Sequence, residues 1–340
     1  EVPPVWQHSI AQTRAPRFPA DTEYRGENRP YGASISFDVN GEQLPHPDDE
    51  IEKARQEELR QNPPEEVDED EEKKERPPTK AAFRILDADG NLTREFERDV
   101  HQGLNRVFWG LESDPFRRPP GGEEDWFNQG GSGPEVLPGT YTVVVRFGEE
   151  EAQGAVEVRP DPRVEISMED RRANWEARQR AGAVQETLAD ALTRIAAARS
   201  DADVVIAQID RVQQLAKAAG QEFDDDEDKP FADLKKEAGE FKKELTGLEK
   251  FFRDPAGTKG ITGGIKAWSE LSRAGWFIGS TKDAPSPAVL RHLENAERLA
   301  AAGVDSVNTF FSGPYEEFRA KVLVEDELRV FGSWEALEMP

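Results

Sequence analysis

The hydrophobic repeat of this chain changes once, after Ile166, and that change limits the folds open to it. Before it, apolar residues recur at every second position in short runs: Tyr31 to Phe37, Ala81 to Leu86, and Thr140 to Phe147 with Tyr141, Val143 and Val145 in alternation. A period of two puts successive side chains on opposite faces of a strand. After Ile166 the spacing lengthens to about 3.6, and Trp175, Ala181, Val184, Leu188, Leu192 and Ile195 fall on one stripe, as a helix that buries one face requires. Strands followed by helices predict a multidomain α+β chain.

Within the first part, the strand Ala81 to Leu86 runs into Asp87-Ala-Asp-Gly-Asn91, where Gly90 supplies the positive φ of a hairpin turn. Leu92 to Phe96 returns, and Gly103 to Leu111 makes the next strand, with Trp109 as its large core residue. Ala155 to Val158 is the hairpin partner of Thr140 to Phe147, and Pro160-Asp-Pro162 closes the domain. The expected product is an immunoglobulin-like antiparallel β-sandwich over residues 31–163. Residues 1–30, rich in Pro, Arg and polar residues with Trp6, Phe18 and Tyr24 scattered among them, read as an extended connector. Residues 42–79 are dominated by acids and broken by Pro63-Pro64 and Pro77-Pro78, so they have too little apolar area to offset the entropy of ordering. They read as a mobile, disordered insertion with a short helix at Asp49 to Gln61.

In the second part, Ser167 is placed to cap a helix, with Asp170 three residues on. A break near Ser200-Asp201 separates the first apolar stripe from Val204, Val205, Ile209, Val212 and Leu215. Gly220 and the acidic run Phe223 to Asp228 form a loop, and Pro230 starts a helix carrying Phe231, Leu234, Phe241, Leu245, Leu248 and Phe252 on one face. Further helices are expected at Gly264 to Phe277 and Pro287 to Val324, four to five in all. Loops of these lengths join antiparallel neighbours, so residues 164–326 read as an up-and-down α-helical bundle. A tail, 327–340, follows with Val330, Phe331 and Trp334.

The formal charge of −25, from 69 acids against 44 bases, argues against nucleic acid or an anionic membrane surface as partner, because both need a positive patch. The acids are spread along the chain, as on a surface adapted to high salt or on a generally acidic soluble protein. With no cysteine there is no disulfide framework, thiolate nucleophile or thiolate metal site. No apolar run is long enough to span a membrane, and the start at Glu1 without a leader reads as a piece with something in front of it.

Candidate chemistry is sparse. Carboxylate pairs such as Glu316-Glu317 and the run Asp224-Asp225-Asp226 arise from composition alone when about one residue in five is acidic. Asp87 to Asn91 begins like a calcium loop but lacks the later bidentate Glu. His8, His46, His101 and His292 have no ligand spacing, Gly257 to Lys266 lacks the ending of a phosphate loop, and Ser132 has no strand-to-helix elbow. Asn91-Leu-Thr93 fits a glycosylation acceptor. No catalytic residue, metal site or cofactor is expected.

In order, Gly26 to Ala33, Ile85-Leu-Asp-Ala-Asp-Gly90, Gly103-Leu-Asn-Arg-Val-Phe-Trp109, Leu137-Pro-Gly-Thr-Tyr-Thr-Val143 and Val158 to Arg163 resemble the C-terminal region of bacterial sortilin-like proteins. These carry an N-terminal β-propeller of Asp-box (BNR) repeats and are commonly labelled glycosyl hydrolases. Gly279-Ser280 followed by Pro285-Ser-Pro287 sits where that family has a short loop before its last long helix. The pair Gly103 to Trp109 and Pro138 to Val143 is also similar to the immunoglobulin-like domain of flagellar hook-capping proteins. The propeller's Ser-x-Asp-x-Gly-x-x-Trp repeats are absent, so no propeller activity carries over to these residues.

The resemblance implies a non-catalytic accessory or scaffolding module of a secreted, extracytoplasmic propeller protein, whose partner is the propeller domain of the same protein. Two alternatives stand beside it. One is part of a hydrolase whose active site lies in the propeller, and the other a module that binds polysaccharide or protein. Trp126 and Phe127, aromatics in the Gly- and Pro-rich segment Pro115 to Pro134, are the candidate binding residues. They can stack on a sugar, dock on the propeller or fold back onto their own sandwich.

Overall fold

A computed structural model describes residues 2–8, 30–41, 44–61, 79–120, 133–223, 225, 229–255, 257–258, 260 and 263–325. The chain is an α+β protein that divides into two compact units, Glu1–Pro115 with Ser132–Glu165, and Phe116–Gly131 with Ile166–Pro340. No helix among the described residues is long and apolar enough to cross a membrane.

The first unit contains β1 (Val5–Gln7), β2 (Ala33–Val39), α1 (Asp49–Gln61), β3 (Lys80–Leu86), β4 (Leu92–Asp99), β5 (Gly103–Trp109), β6 (Gly139–Phe147) and β7 (Glu150–Pro160). Five strands form one sheet in the order β1-β7-β6-β3-β4, while β2 and β5 pair separately. The sheet is mixed: β1 runs parallel to β7, with Val5 opposite Val158. The other pairings are antiparallel. Val5–Gln7 thus adds an edge strand from within the stretch expected to be a connector.

Alternation decides which residues enter the core. In β3, Ala81, Phe83 and Ile85 are fully buried while Lys80 and Arg84 face out. Phe83 stands opposite Phe96 on β4, and their rings stack at 4.9 Å. Phe37 of β2 meets Phe83 edge-on at 5.4 Å, so both sheets feed one core. Trp109 is buried there as expected, and its Nε1 donates to the Glu112 carbonyl at 2.8 Å. The turn after β3 also forms as read: Gly90 has φ 84°, and Asp87 Oδ1 accepts from the backbone N–H groups of Asp89 and Asn91.

Among its described residues the second unit holds five helices: α2 (Met168–Ala218), α3 (Ala232–Phe252), α4 (Ala267–Gly279), α5 (Pro287–Ser312) and α6 (Pro314–Val324). Ser167 caps α2 by accepting from the Asp170 N–H at 3.0 Å. Two expectations are corrected. The break near Ser200-Asp201 does not occur, because α2 continues through it for 51 residues. Ile195, Ala198, Ala202, Val205 and Ile209 hold one unbroken buried line at spacings of three and four. Val204 and Leu215, assigned to the buried stripe, point outward. The second correction is that the helix expected over Pro287 to Val324 is split at Gly313. Pro314 has no N–H to extend the ladder, and it sits at the first turn of α6, where none is needed.

Helix α3 packs against α5 at Gly303, where an added Cβ would lie 2.6 Å from Phe252 Cε1. Phe252 is fully buried and cannot swing away. Gly303→Ala gains about 1 kcal/mol of helix propensity, yet it should lower stability by about 1–3 kcal/mol through overpacking. Urea midpoints of Gly303→Ala and of Gly303→Ala with Phe252→Leu check this, since the second substitution should recover part of the loss.

Candidate functional site

Helix α4 gathers the polar groups that the core cannot leave unpaired. Its stripe Ala267, Leu271, Ala274 and Ile278 is buried, spaced four, three and four residues apart. At its C-terminus the last carbonyls have no partner within the helix. Asn174 of α2 meets one of them and two carbonyls just beyond the helix: its Nδ2 group donates to Ile278 at 3.1 Å, Thr281 at 3.3 Å and Asp283 at 3.0 Å. One turn on, Arg178 Nε donates to Asn174 Oδ1 at 2.7 Å, and its Nη2 reaches the Thr281 carbonyl at 3.1 Å. The pair fixes the amide while it holds the helix end.

On its α5 side, α4 carries Glu270, whose side chain is 6% exposed. Its Oε2 meets His292 Nδ1 at 2.8 Å and accepts from Asn295 Nδ2 at 3.3 Å. Burial pushes the Glu270 carboxyl up, but the hydrogen bonds from His292 and Asn295 and the charges of His292 and Arg273 together hold it below its ordinary value. A carboxylate on Nδ1 of a half-exposed imidazole also orients a general base, so this is the most chemically capable cluster in the helical unit.

The opposite face of α4 is different. Trp276 lies two positions after Ala274, about 200° around the helix, and is 69% exposed. Phe277 beside it is 43% exposed, and the two rings meet edge-on at 4.9 Å. Ser269, Ser272, Arg273, Gly275 and Gly279 are the other exposed residues of the helix. An aromatic pair displayed on a helix whose other face is locked into a core is a ready contact surface.

In the first unit, Tyr31 and Glu135 form a cluster near Glu112. Glu112 and Glu135 are backbone-bridged neighbours, and the Tyr31 hydroxyl donates to Glu135 Oε1. Burial, followed by that hydrogen bond and the charges of Glu135 and Glu112, pushes the phenol far above its ordinary range. Leu111, next to Glu112, is fully buried at a left-handed φ of 61°. Such a conformation costs a non-glycine residue about 1–2 kcal/mol, and the Val136 N–H holds the Leu111 carbonyl at 2.8 Å.

No family model, characterised protein or solved structure matches this chain.

Of the residues singled out in the sequence, Trp126, Phe127 and Ser132 lie outside the described residues, as does most of the Asp224 to Asp228 run. Glu316 and Glu317 are exposed at the start of α6, where Glu316 pairs with Arg319 at 3.1 Å. The histidines stay apart in local roles: His46 Nδ1 accepts from the Asp48 N–H, and His101 Nδ1 lies 3.0 Å from the Gln102 carbonyl. Among the described residues, no three His, Cys, Asp or Glu side chains group as metal ligands.

His292 acquires a carboxylate partner that no spacing announced, because Glu270 lies on another helix. Trp276 and Phe277 were missed, though a signal was present: both fall out of phase with the buried stripe Ala267 to Ile278. Tyr31, Glu112 and Glu135 meet across more than a hundred residues, a distance that local pattern does not bridge.

Two outcomes follow from this geometry. Asn174→Ala takes the side-chain donor from the Asp283 carbonyl and leaves those of Ile278 and Thr281 to Arg178 alone, and should cost about 1–3 kcal/mol of stability, measured by urea unfolding. For Glu270, the folded pKa lies below the unfolded one, so its contribution is present above the ordinary carboxylate range and vanishes as pH falls through the lower folded value. Glu270→Gln should flatten that part of the acid limb when unfolding midpoints are compared across pH.

Proposed function

We propose that this chain is a non-catalytic accessory module that works by docking, with its contact surface on the outward face of α4. The observation that carries this is the pairing of opposites on one helix. Asn174, Arg178 and the buried stripe fix α4 in place, while Trp276 and Phe277 are left in water. Exposed large aromatics forgo the free energy of burial unless a partner covers them, at about 25 cal/mol per Å² of apolar surface.

In this reading the β unit is an immunoglobulin-like sandwich and the helices an up-and-down bundle, together forming the C-terminal part of a secreted sortilin-like propeller protein. Support comes from the placement of the resembling segments: Ile85 to Gly90 at the β3–β4 turn, Gly103 to Trp109 as β5, and Gly139 to Val143 in β6. A single core shared by the two sheets supports the sandwich reading.

The specific alternative is hydrolysis at Glu112 and Glu135 beside Tyr31, since two carboxylates and a phenol are the materials of glycoside cleavage. Assay of the chain against aryl glycosides separates the two. No turnover is expected; turnover abolished by either Glu112→Gln or Glu135→Gln would overturn the accessory role. For docking, Trp276→Ala should shift stability by no more than about 0.5 kcal/mol while removing partner binding.

A further inference from the structure

The chemistry of the α4 face narrows what it docks. Exposed carboxylates occur on α2, α3, α5 and α6, for example Glu169, Asp233, Glu294 and Glu316. On α4 the one carboxylate, Glu270, is buried against His292, and the exposed charge is Arg273. The surrounding sequence continues the contrast: from Pro255 to Lys282 there are four basic residues, Lys259, Lys266, Arg273 and Lys282, against Glu270 alone. That is a local balance of +3, four minus one, on a chain whose formal charge is −25. Asp254 and Asp283 flank the stretch, and Asp254 lies 3.9 Å from Lys266.

A helix face that shows two aromatics and one cation, Arg273, within a locally basic stretch of a strongly acidic chain is complementary to a partner that is itself acidic and has apolar anchors. The face is also small. A 13-residue helix is about 20 Å long, which matches an extended or helical peptide segment and falls short of the surface a stable pair of folded domains buries, about 800 Å² on each side. Gly275 and Gly279 flank the aromatics, and a Cβ built on either meets nothing within 4 Å, so a backbone can approach the rings closely.

Resting on the docking role proposed above, we infer that the outward face of α4 binds an acidic peptide segment bearing aromatic anchors, with Trp276 and Phe277 receiving the anchors and Arg273 the carboxylates. One segment of this sequence carries that chemistry. Residues 326–340 hold Asp326, Glu327, Glu335 and Glu338 against Arg329, a balance of −3, together with Phe331 and Trp334. They lie outside the described residues and serve here as the probe.

The experiment titrates a synthetic peptide of residues 326–340 into the full chain, and into a full chain with Phe331→Ser and Trp334→Ser, by isothermal calorimetry. Binding is expected in at least the second, because in the first the chain's own segment can compete. Trp276→Ala and, separately, Arg273→Glu in the second chain should each weaken it at least about tenfold, as loss of a central anchor does. Affinity should also fall as salt is raised. Equal binding of a peptide with its acids replaced by Gln would overturn the acidic specificity. Binding of a polygalacturonate oligosaccharide but not the peptide, or self-association abolished by Trp276→Ala, would overturn the peptide occupant while leaving α4 as a docking face. If Trp276→Ala alters no binding of any probe, both the inference and the docking role fail.

Discussion

The helical unit depends on the continuity of α2. At 51 residues it is about 75 Å long, and α3, α4 and α5 all pack against it. Its two halves hold different partners. Toward the N-terminus, Asn174 holds the end of α4, Arg180 pairs with Glu297 of α5 at 3.0 Å, and the Arg194 guanidinium lies over the Phe311 ring. Toward the C-terminus, Arg199, Asp203 and Asp210 meet Glu249, Lys242 and Lys235 in turn, a ladder that can form only if α3 runs antiparallel. A break at Ser200-Asp201 would uncouple the two sets. A helix of this length gains its stability from such packing more than from propensity, so spine and bundle each require the other.

Buried charge is handled by the same logic. Glu249 is nearly inaccessible, and it receives Arg199 at 2.9 Å and Arg253 at 3.1 Å. An isolated carboxylate there would cost several kcal/mol in desolvation, on the order of what its partners return. Such a group contributes little net stability but penalises any packing in which its partners are out of reach. With Asn174 near the start of α2 and Glu249 meeting Arg199 past its midpoint, few alternative registers of the helices satisfy both.

Much of this was legible in the sequence, for identifiable reasons. Alternation located β3 and β6 because each has one polar and one buried face, and Ser167 announced the start of α2 through its capping geometry. The helix over Asp49 to Gln61 forms with those bounds. The continuity of α2 was misread because the residues that carry its stripe past Ser200, Ala198 and Ala202, are small. Alanine buries little area, yet it is what lets a neighbouring helix lie close. β1 escaped notice for a related reason. Three residues, Val5–Gln7, show no period, and their pairing is chosen by β7, a partner about 150 positions away in the chain. The clusters at His292 and Tyr31 were hidden altogether, since contact between distant elements leaves no trace in spacing.

The acidity of the chain and the composition of α4 bear on each other. A net charge far from zero keeps copies apart and solvates the surface, and an exposed aromatic pair on a neutral protein would invite nonspecific association. Here long-range repulsion between like chains acts beyond about 8 Å at physiological salt only weakly, so it slows encounter without blocking a close, oriented contact. A face that made such contact would have to discriminate by local chemistry. On α4 this means that carboxylates are kept off the exposed surface and the single one that remains, Glu270, is turned inward onto His292. The same residue thus ties α4 to α5 and leaves Arg273 as the exposed charge of the helix. A carboxylate at position 270 can meet the His292 ring at 2.8 Å only because it is withheld from the surface above it.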